Sequence, residues 1–275
     1  MAPRDIVDEV RFGFGENWRQ FLEGLDEGRI VEAERSLQTL LGIDRLDGMS
    51  FLDIGSGSGL FSLAARRLGA RVHSFDYDPN SVACTASLRD RFFPGDPQWK
   101  VEHGSVLDAV YVAKLGEFDI VYSWGVLHHT GAMYEAIKQA ASRVRPGGLF
   151  AFALYRKTRL CPVWTAEKRW YTQASPAWQA RARSIYCAAL RVALAVTGRS
   201  FDNYVAGYRS NRGMDFYNDL HDWMGGYPYE SITPAQAEAM MQEHGFKQLR
   251  SVVRPYEVGL FGSGCDEYCY QQVPK

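Results

Sequence analysis

Three glycines at alternate positions, Gly55, Gly57 and Gly59, follow the short apolar run Phe51-Leu52-Asp53-Ile54. After them the apolar spacing turns helical, through Leu60, Leu63, Ala64 and Leu68. Glycine has no side chain, so the backbone bends tightly there and a ligand can approach it closely. A helix opening after such a turn directs its free N–H groups at whatever sits on it. The spacing is G-x-G-x-G, whereas dinucleotide sites favour G-x-G-x-x-G. Asp53, two residues before the first glycine, suits a cationic ligand better than a pyrophosphate. A second apolar run, Arg71-Val72-His73-Ser74-Phe75, ends in Asp76. An acid at the end of a second strand binds ribose hydroxyls. Farther along stand the pair His128-His129 and, in an acidic and aromatic stretch, His221-Asp222 with Asp215 and Asp219. Imidazole exchanges its proton near neutral pH and is the natural base for a hydroxyl. The alternative roles are a cap over the ligand for the pair, and neutralisation of nearby basic residues for the second group.

These residues need a frame. From Met49 to Ala153 apolar runs of strand type alternate with helical spacing. That pattern predicts a parallel sheet with helices on both faces, with ligands at the carboxyl ends of the strands. The residues placed there are Asp53, Gly55, Ser56, Gly57, Gly59, Asp76, Tyr77, Ser105, Val106, Ser123 and Trp124.

The stretch FLDIGSGSGLFSLAARRLGARVHSFDYDP resembles the first two motifs of class I S-adenosylmethionine (SAM)-dependent methyltransferases. Later motifs of that family follow in order. Val101 to Asp108 resembles its adenine-binding segment, Phe118 to His129 its fourth strand and the helix start after it, and Val144 to Ala153 the turn into its fifth strand. The resemblance covers roughly residues 48–155 and, more weakly, 231–275. It implies a doubly wound, mostly parallel, seven-stranded Rossmann-like sheet, with SAM as methyl donor and S-adenosylhomocysteine as product. Asp53 is then expected near the donor's amino group, Asp76 on its ribose, Trp124 against the adenine or cofactor edge, and Ser105 or Asp108 at the adenine edge. Some members, including the O-methyltransferases of ubiquinone synthesis, hold a divalent ion with Glu-x-x-Glu-His. Here the segment reads Gly125-Val126-Leu127-His128-His129. The carboxylates that hard cations prefer are missing, so no metal is expected.

The chain has 275 residues, 46% of them hydrophobic, and a net charge of −1. That is enough for a full core, and the global balance favours neither nucleic acid nor membrane. The five cysteines, at 84, 161, 187, 265 and 269, are odd in number and scattered. They fit a reducing compartment and lack the partner pairs of a zinc site. The first ten residues carry no signal-type apolar core and no run reaches ~18 apolar residues, so a cytoplasmic location is expected.

Residues 1–47 read as an N-terminal helical cap. Ile6, Val10, Phe14, Trp18, Phe21, Leu22 and Leu25 recur at helical spacing, and Ile30 to Leu41 is a cleaner amphipathic helix. Trp18 and Phe21 either cover the cofactor or pack on the core. Residues 156–230 interrupt the family pattern and are too long for a structureless loop. They read as a helical lid inserted between core segments 48–155 and 231–275. Between Arg156 and Arg212 stand eleven Lys or Arg against two acids, Glu167 and Asp202, interleaved with aromatics. A solvated basic face, a dimer interface, phosphate or RNA binding and a membrane surface all suit that composition. Ala182 to Val196 is a helix too short to cross a bilayer. Thr233-Pro234 opens another helix, ended by Gly245. Lys247 to Arg254 and Asp266 to Gln271 read as the final strands. The expected activity is methylation of a small molecule, most simply at a hydroxyl, with His128, His129 or His221 as base. Nitrogen and sulfur acceptors, an RNA substrate and a non-catalytic SAM-binding role are the alternatives.

Overall fold

The computed structural model describes residues 11–14, 18, 21–212, 216–253 and 264–274. Ile6, Val10, Asp215 and Arg254 lie outside the described residues. The strands are β1 (Ser50–Ile54), β2 (Arg71–Asp76), β3 (Trp99–His103), β4 (Phe118–Trp124), β5 (Val144–Tyr155), β6 (Phe246–Val252) and β7 (Cys265–Gln272). They form one seven-stranded sheet in the order β3-β2-β1-β4-β5-β7-β6. The first five strands pair in parallel, while β7 runs antiparallel to both β5 and β6. The strand order reverses between β1 and β4, and a crevice opens at such a switch point.

Neighbouring strand residues face opposite sides of the sheet. Leu52, Val121, Phe150 and Phe152 pack on one face with α5 (Met133–Ala141) and α10 (Pro234–Glu243). Phe51, Ile120, Tyr122 and Ala151 pack on the other with α1 (Glu27–Leu41) and α2 (Leu60–Arg67). This is why the core strands are apolar at consecutive positions. The α1 helix begins one turn before the expected Ile30, because the Asp26 side chain caps Arg29 N–H at 2.9 Å. At the other end of the chain, Thr233 and Gln236 form a reciprocal capping box for α10, the cap that the threonine and proline foretell.

After β5 the chain leaves the sheet for α6 (Cys161–Gln173), α7 (Pro176–Val196), α8 (Phe201–Arg212) and α9 (Phe216–Gly225). The α7 helix starts six residues before the expected Ala182, where Pro176 occupies its first turn. These helices share a cluster of their own, with Tyr171, Leu190, Leu194, Phe201, Phe216, Leu220 and Met224 around Phe12 of the N-terminal segment. Entry and exit of the insertion are clamped together. Ile232 N–H donates to Tyr155 O, and Lys157 N–H donates back to Ile232 O. Arg156 forks onto the Asp266 carboxylate of β7, with both side chains buried.

Candidate functional site

The glycine turn joins β1 to α2 at the switch point. Gly55, Gly57 and Gly59 all hold left-handed φ, at 75°, 55° and 82°. A Cβ at Gly55 would lie 2.4 Å from Val126, and one at Gly59 would lie 2.9 Å from the Thr85 backbone. Side chains are thus excluded twice, by backbone conformation and by neighbours. Behind the turn, Thr85 of α3 (Pro79–Phe92) bonds Ser56 Oγ at 2.9 Å and the Gly57 carbonyl at 3.2 Å. No motif in the sequence singles out Thr85.

Asp76 ends β2 beside the turn. Its carboxylate accepts from Gly57 N–H and Asp78 N–H, each at 2.9 Å. Burial pushes that carboxyl up to about 6, against the pull of those two bonds. Asp53 sits deeper, with its carboxylate taken by Ser62 Oγ in a chain that continues to Ser74 and the Trp99 indole. Burial pushes Asp53 up to about 7, with the Ser62 bond opposing and Asp76 adding. Its visible partners therefore lie beneath the turn rather than over it. Ser123 is likewise inward, donating to Ile54 O at 2.9 Å and tying β4 to β1. Trp124, one residue later, is 39% exposed at the strand end.

At the adenine-type segment, Ser105 Oγ accepts from Leu107 N–H, and Val106 is buried in the core. Asp108 caps α4 (Ala109–Lys114) through Val110 N–H and Tyr111 N–H. Both side chains thus accept local backbone N–H groups, Ser105 from Leu107 and Asp108 from the first turn of α4.

An N-terminal strap crosses these strand ends. Arg11 lies over the Tyr77 ring at 4.6 Å and donates to Thr130 O. Phe12 N–H donates to Tyr227 O, and its ring packs edge-on to His221 at 5.1 Å. Phe14 meets His129 at 5.3 Å. Trp18 sits so near the turn that a Cβ on Gly57 would lie 3.1 Å from its indole. Phe21 takes the second of the two expected roles, packing in the core with Leu25 and Ile30, with the Trp18 ring edge-on to it at 6.0 Å.

His128 and His129 occupy a 3-10 turn, Leu127–His129, after β4. Their rings are 4.3 Å apart, with Tyr155 of β5 4.1 Å from His128 and 5.4 Å from His129. The segment after α9 roofs them. Pro228 O bonds His129 Nδ1 at 2.7 Å, Glu230 N–H donates to His128 O, and Tyr229 packs on Tyr155 at 5.2 Å. Gly225-Gly226 makes this closure possible: a Cβ at Gly225 would meet Phe12 at 2.1 Å, and one at Gly226 would meet His129 at 2.6 Å. Burial drives the His128 pKa well below its usual value and takes His129 down to about 3, with Lys168 adding to both. Both imidazoles are neutral at neutral pH.

His221 belongs to a different set. Its Nδ1 lies 2.7 Å from Tyr171 OH and 2.9 Å from the Arg183 guanidinium, inside the lid cluster. Phe12 and Phe14 stand on the two sides of the strap, one against His221 and one against the pair. Lys168, Tyr155, Tyr229 and the glycine pair carry no motif; only their position in the fold reveals them.

The sequence profile of the methyltransferase domain family matches residues 25–249. Among curated proteins, the chain is 35% identical over 122 residues to a ubiquinone biosynthesis O-methyltransferase of Methylobacterium sp. strain 4-46, covering 43% of this chain and 45% of that protein. It is 31% identical over 123 residues to a ribosomal protein L11 methyltransferase of Xanthomonas campestris, covering 43% of this chain and 36% of that one. The aligned stretch spans less than half of each relative. Among solved structures, the magnesium protoporphyrin IX methyltransferase of Synechocystis PCC 6803 with bound SAH superposes with TM-score 0.56 at 14% identity, over 94% of this chain and 93% of that one. That likeness shows the fold. Because the family profile runs through the sheet, the turn and the insertion together, the chain belongs to the methyltransferase domain family.

Proposed function

We propose that this protein transfers the methyl group of SAM to a small-molecule acceptor, at a hydroxyl oxygen, and releases S-adenosylhomocysteine. The observation that carries the reading is the adjacency of two compartments. Val126 fills the space a side chain at Gly55 would take, and His128 and His129 follow two and three residues later. A donor on the glycine turn and an acceptor at the histidines therefore meet at the end of β4.

The residues present fit SAM. The turn is bare of side chains, and the Asp76 carboxylate, which accepts from Gly57 N–H and Asp78 N–H, keeps lone pairs for ribose hydroxyls. SAM brings an already activated methyl on a sulfonium. The remaining tasks fall to the protein: alignment, exclusion of water and handling of the hydroxyl proton. Trp18, Phe14, Pro228 and Tyr229 close the site to water. Tyr155 and Tyr229 supply flat walls for the acceptor. His129 donates from Nδ1 to Pro228 O, so its lone pair is on Nε2, the atom that takes the hydroxyl proton. As the C–S bond breaks, the new O–C bond forms and that proton passes to the imidazole.

SAM labelled in its methyl group, mixed with the protein and an extract of cells lacking it, tests the reading. Label is expected in soluble small molecules, with SAM raising the melting temperature of the wild type and not of Asp76→Ala. Label confined to RNA, lipid or protein overturns the small-molecule acceptor.

A further inference from the structure

The two histidines are not equivalent. Tyr155 N–H lies 3.4 Å from His128 Nδ1, and a backbone N–H can only donate. Nδ1 of His128 therefore holds the lone pair, and its neutral ring carries the proton on Nε2. That Nε2–H is buried with no partner, on a side chain with no exposed surface. A buried donor left unbonded costs ~1–3 kcal/mol, so it marks a place where an acceptor atom belongs.

A second donor faces the same wall. Lys168 of α6 is wholly buried. Its ammonium sits 3.9 Å from the Trp223 ring and 5.3 Å from the Tyr229 ring, and it donates to Trp223 O. Tyr229 packs on Tyr155, and Tyr155 on His128, so both donors border one aromatic wall. No carboxylate stands within ion-pair distance of Lys168 among the described residues. Both carboxylate oxygens of Glu167, its neighbour in sequence, are buried without a hydrogen-bond partner. Burial pushes the Glu167 carboxyl up and the Lys168 amine down. A second positive charge, Arg11, reaches His129 from the strap. Glu167 is the carboxylate that attracts Lys168, yet neither it nor any other carboxylate is hydrogen-bonded to the ammonium or to His128 Nε2–H among the described residues.

On the reading of a small-molecule acceptor, we propose that this acceptor carries a carboxylate-type anionic group beside the methylated oxygen, held between the Lys168 ammonium and His128 Nε2–H. The anion supplies the hydrogen-bonded acceptor that Glu167 does not provide to either donor. It also relieves the positive field that weakens His129 as a base, so an acceptor bearing it is both bound and activated. Lys168 and His128 are positioning residues in this scheme, and His129 faces the reacting hydroxyl.

The test takes the labelled product of the wild-type protein, made from methyl-labelled SAM and cell extract, over an anion-exchange resin at pH 8. The product is expected to be retained and to elute with salt. Lys168→Met is expected to cut transfer on the order of tenfold to a hundredfold in dilute extract, to recover in concentrated extract, and to leave SAM affinity unchanged. Lys168→Arg, which keeps the charge, is expected to restore part of the loss. A product that flows through the resin uncharged overturns the proposal, whether or not the variants fold. A retained product with Lys168→Met as active as wild type in dilute extract overturns the assignment to Lys168. No labelled product from the wild type, with SAM still bound, defeats the small-molecule reading beneath it instead.

Discussion

The donor half and the acceptor half of this cleft are built on opposite plans. On the donor side the buried polar groups are spoken for. Asp53 runs through Ser62 and Ser74 to Trp99, Ser56 is bonded by Thr85, and Ser123 bonds Ile54. On the acceptor side His128 Nε2 and both Glu167 oxygens are buried without partners, and Lys168 lies among rings. A satisfied network is rigid, and an unsatisfied one is held in place by its surroundings. Apart from the Asp76 carboxylate, the donor half is therefore complete before ligand arrives, whereas the acceptor half is completed by the ligand. The difference also follows the chain: the first half lies on sheet ends alone, whereas the second joins the turn after β4 and the end of β5 to a helical insertion with its own core.

The comparison is broken hardest at Gly55. An alanine there would hold a φ of 75° and place its Cβ 2.4 Å from Val126. Left-handed backbone costs a residue with a side chain ~1–2 kcal/mol, and overpacking ~1–3 kcal/mol more, so SAM affinity is expected to fall on the order of a hundredfold. Calorimetry with SAM reads the loss, and Val126→Ala in the same chain should return part of it. Gly226→Ala is the counterpart on the acceptor side. Its Cβ would meet His129 at 2.6 Å. Methyl transfer is expected to drop about tenfold as overpacking displaces the imidazole, while SAM affinity holds. A matching loss of SAM affinity in Gly226→Ala would erase the distinction between the halves.

Titration sharpens the same contrast. The Asp76 carboxyl titrates near about 6 in the absence of ligand, raised by burial. Ribose hydroxyls bind the ionised form, so binding releases a proton and tightens as pH rises through that value. Below it, SAM affinity is expected to weaken by roughly tenfold per pH unit. Asp76→Asn should bind more weakly and with that slope removed. The neutral acceptor-side histidines, already held far below their usual range, should add no step between pH 6 and 8 to SAM binding. A step near 7 that survives Asp76→Asn would belong to Asp53, whose carboxyl burial pushes up to about 7.

What the sequence could show follows the same line. The glycine turn, the acids within β1 and at the end of β2 and the alternating runs were legible, because each rests on local chemistry: a φ only glycine tolerates, a strand buried on both faces, an acid at a strand end. The seven-stranded, mostly parallel sheet accordingly matches the expectation. The roles of Asp53 and Ser123 were not legible, since their partners Ser62 and Ile54 meet them only through packing. The lid resisted for a related reason. Its composition identified helices and positive charge, yet Lys168 reads as one more surface cation until the fold buries it. His221 looked like a third candidate base, and its bonds to Tyr171 and Arg183 emerge only when α6, α7 and α9 assemble. Gly225-Gly226 read only as two glycines in an acidic, aromatic stretch, whereas the pair lets Phe12 and His129 approach the backbone closely.

The smallest expected effect concerns the basic insertion. Arg183 is no free cation: its guanidinium bonds Tyr171 OH and His221, so removing it would disturb the lid itself. Arg181, packed over the exposed Trp178, and Arg199 lie at the surface. Exposed charges of this kind contribute ~0–1 kcal/mol. If the acceptor is a small molecule enclosed by the strap and the lid, these two arginines never touch it. Replacing both by glutamine should then change methyl transfer less than about twofold, as expected of exposed charges, and leave its salt dependence flat. An RNA substrate would behave otherwise, because removing a cation that neutralises a phosphate lowers both the affinity and its dependence on salt. The measurement is the transfer rate of the double variant from low to moderate salt. A steep salt dependence in the wild type that disappears in the variant would move the acceptor from the buried chamber to the outer face of the lid.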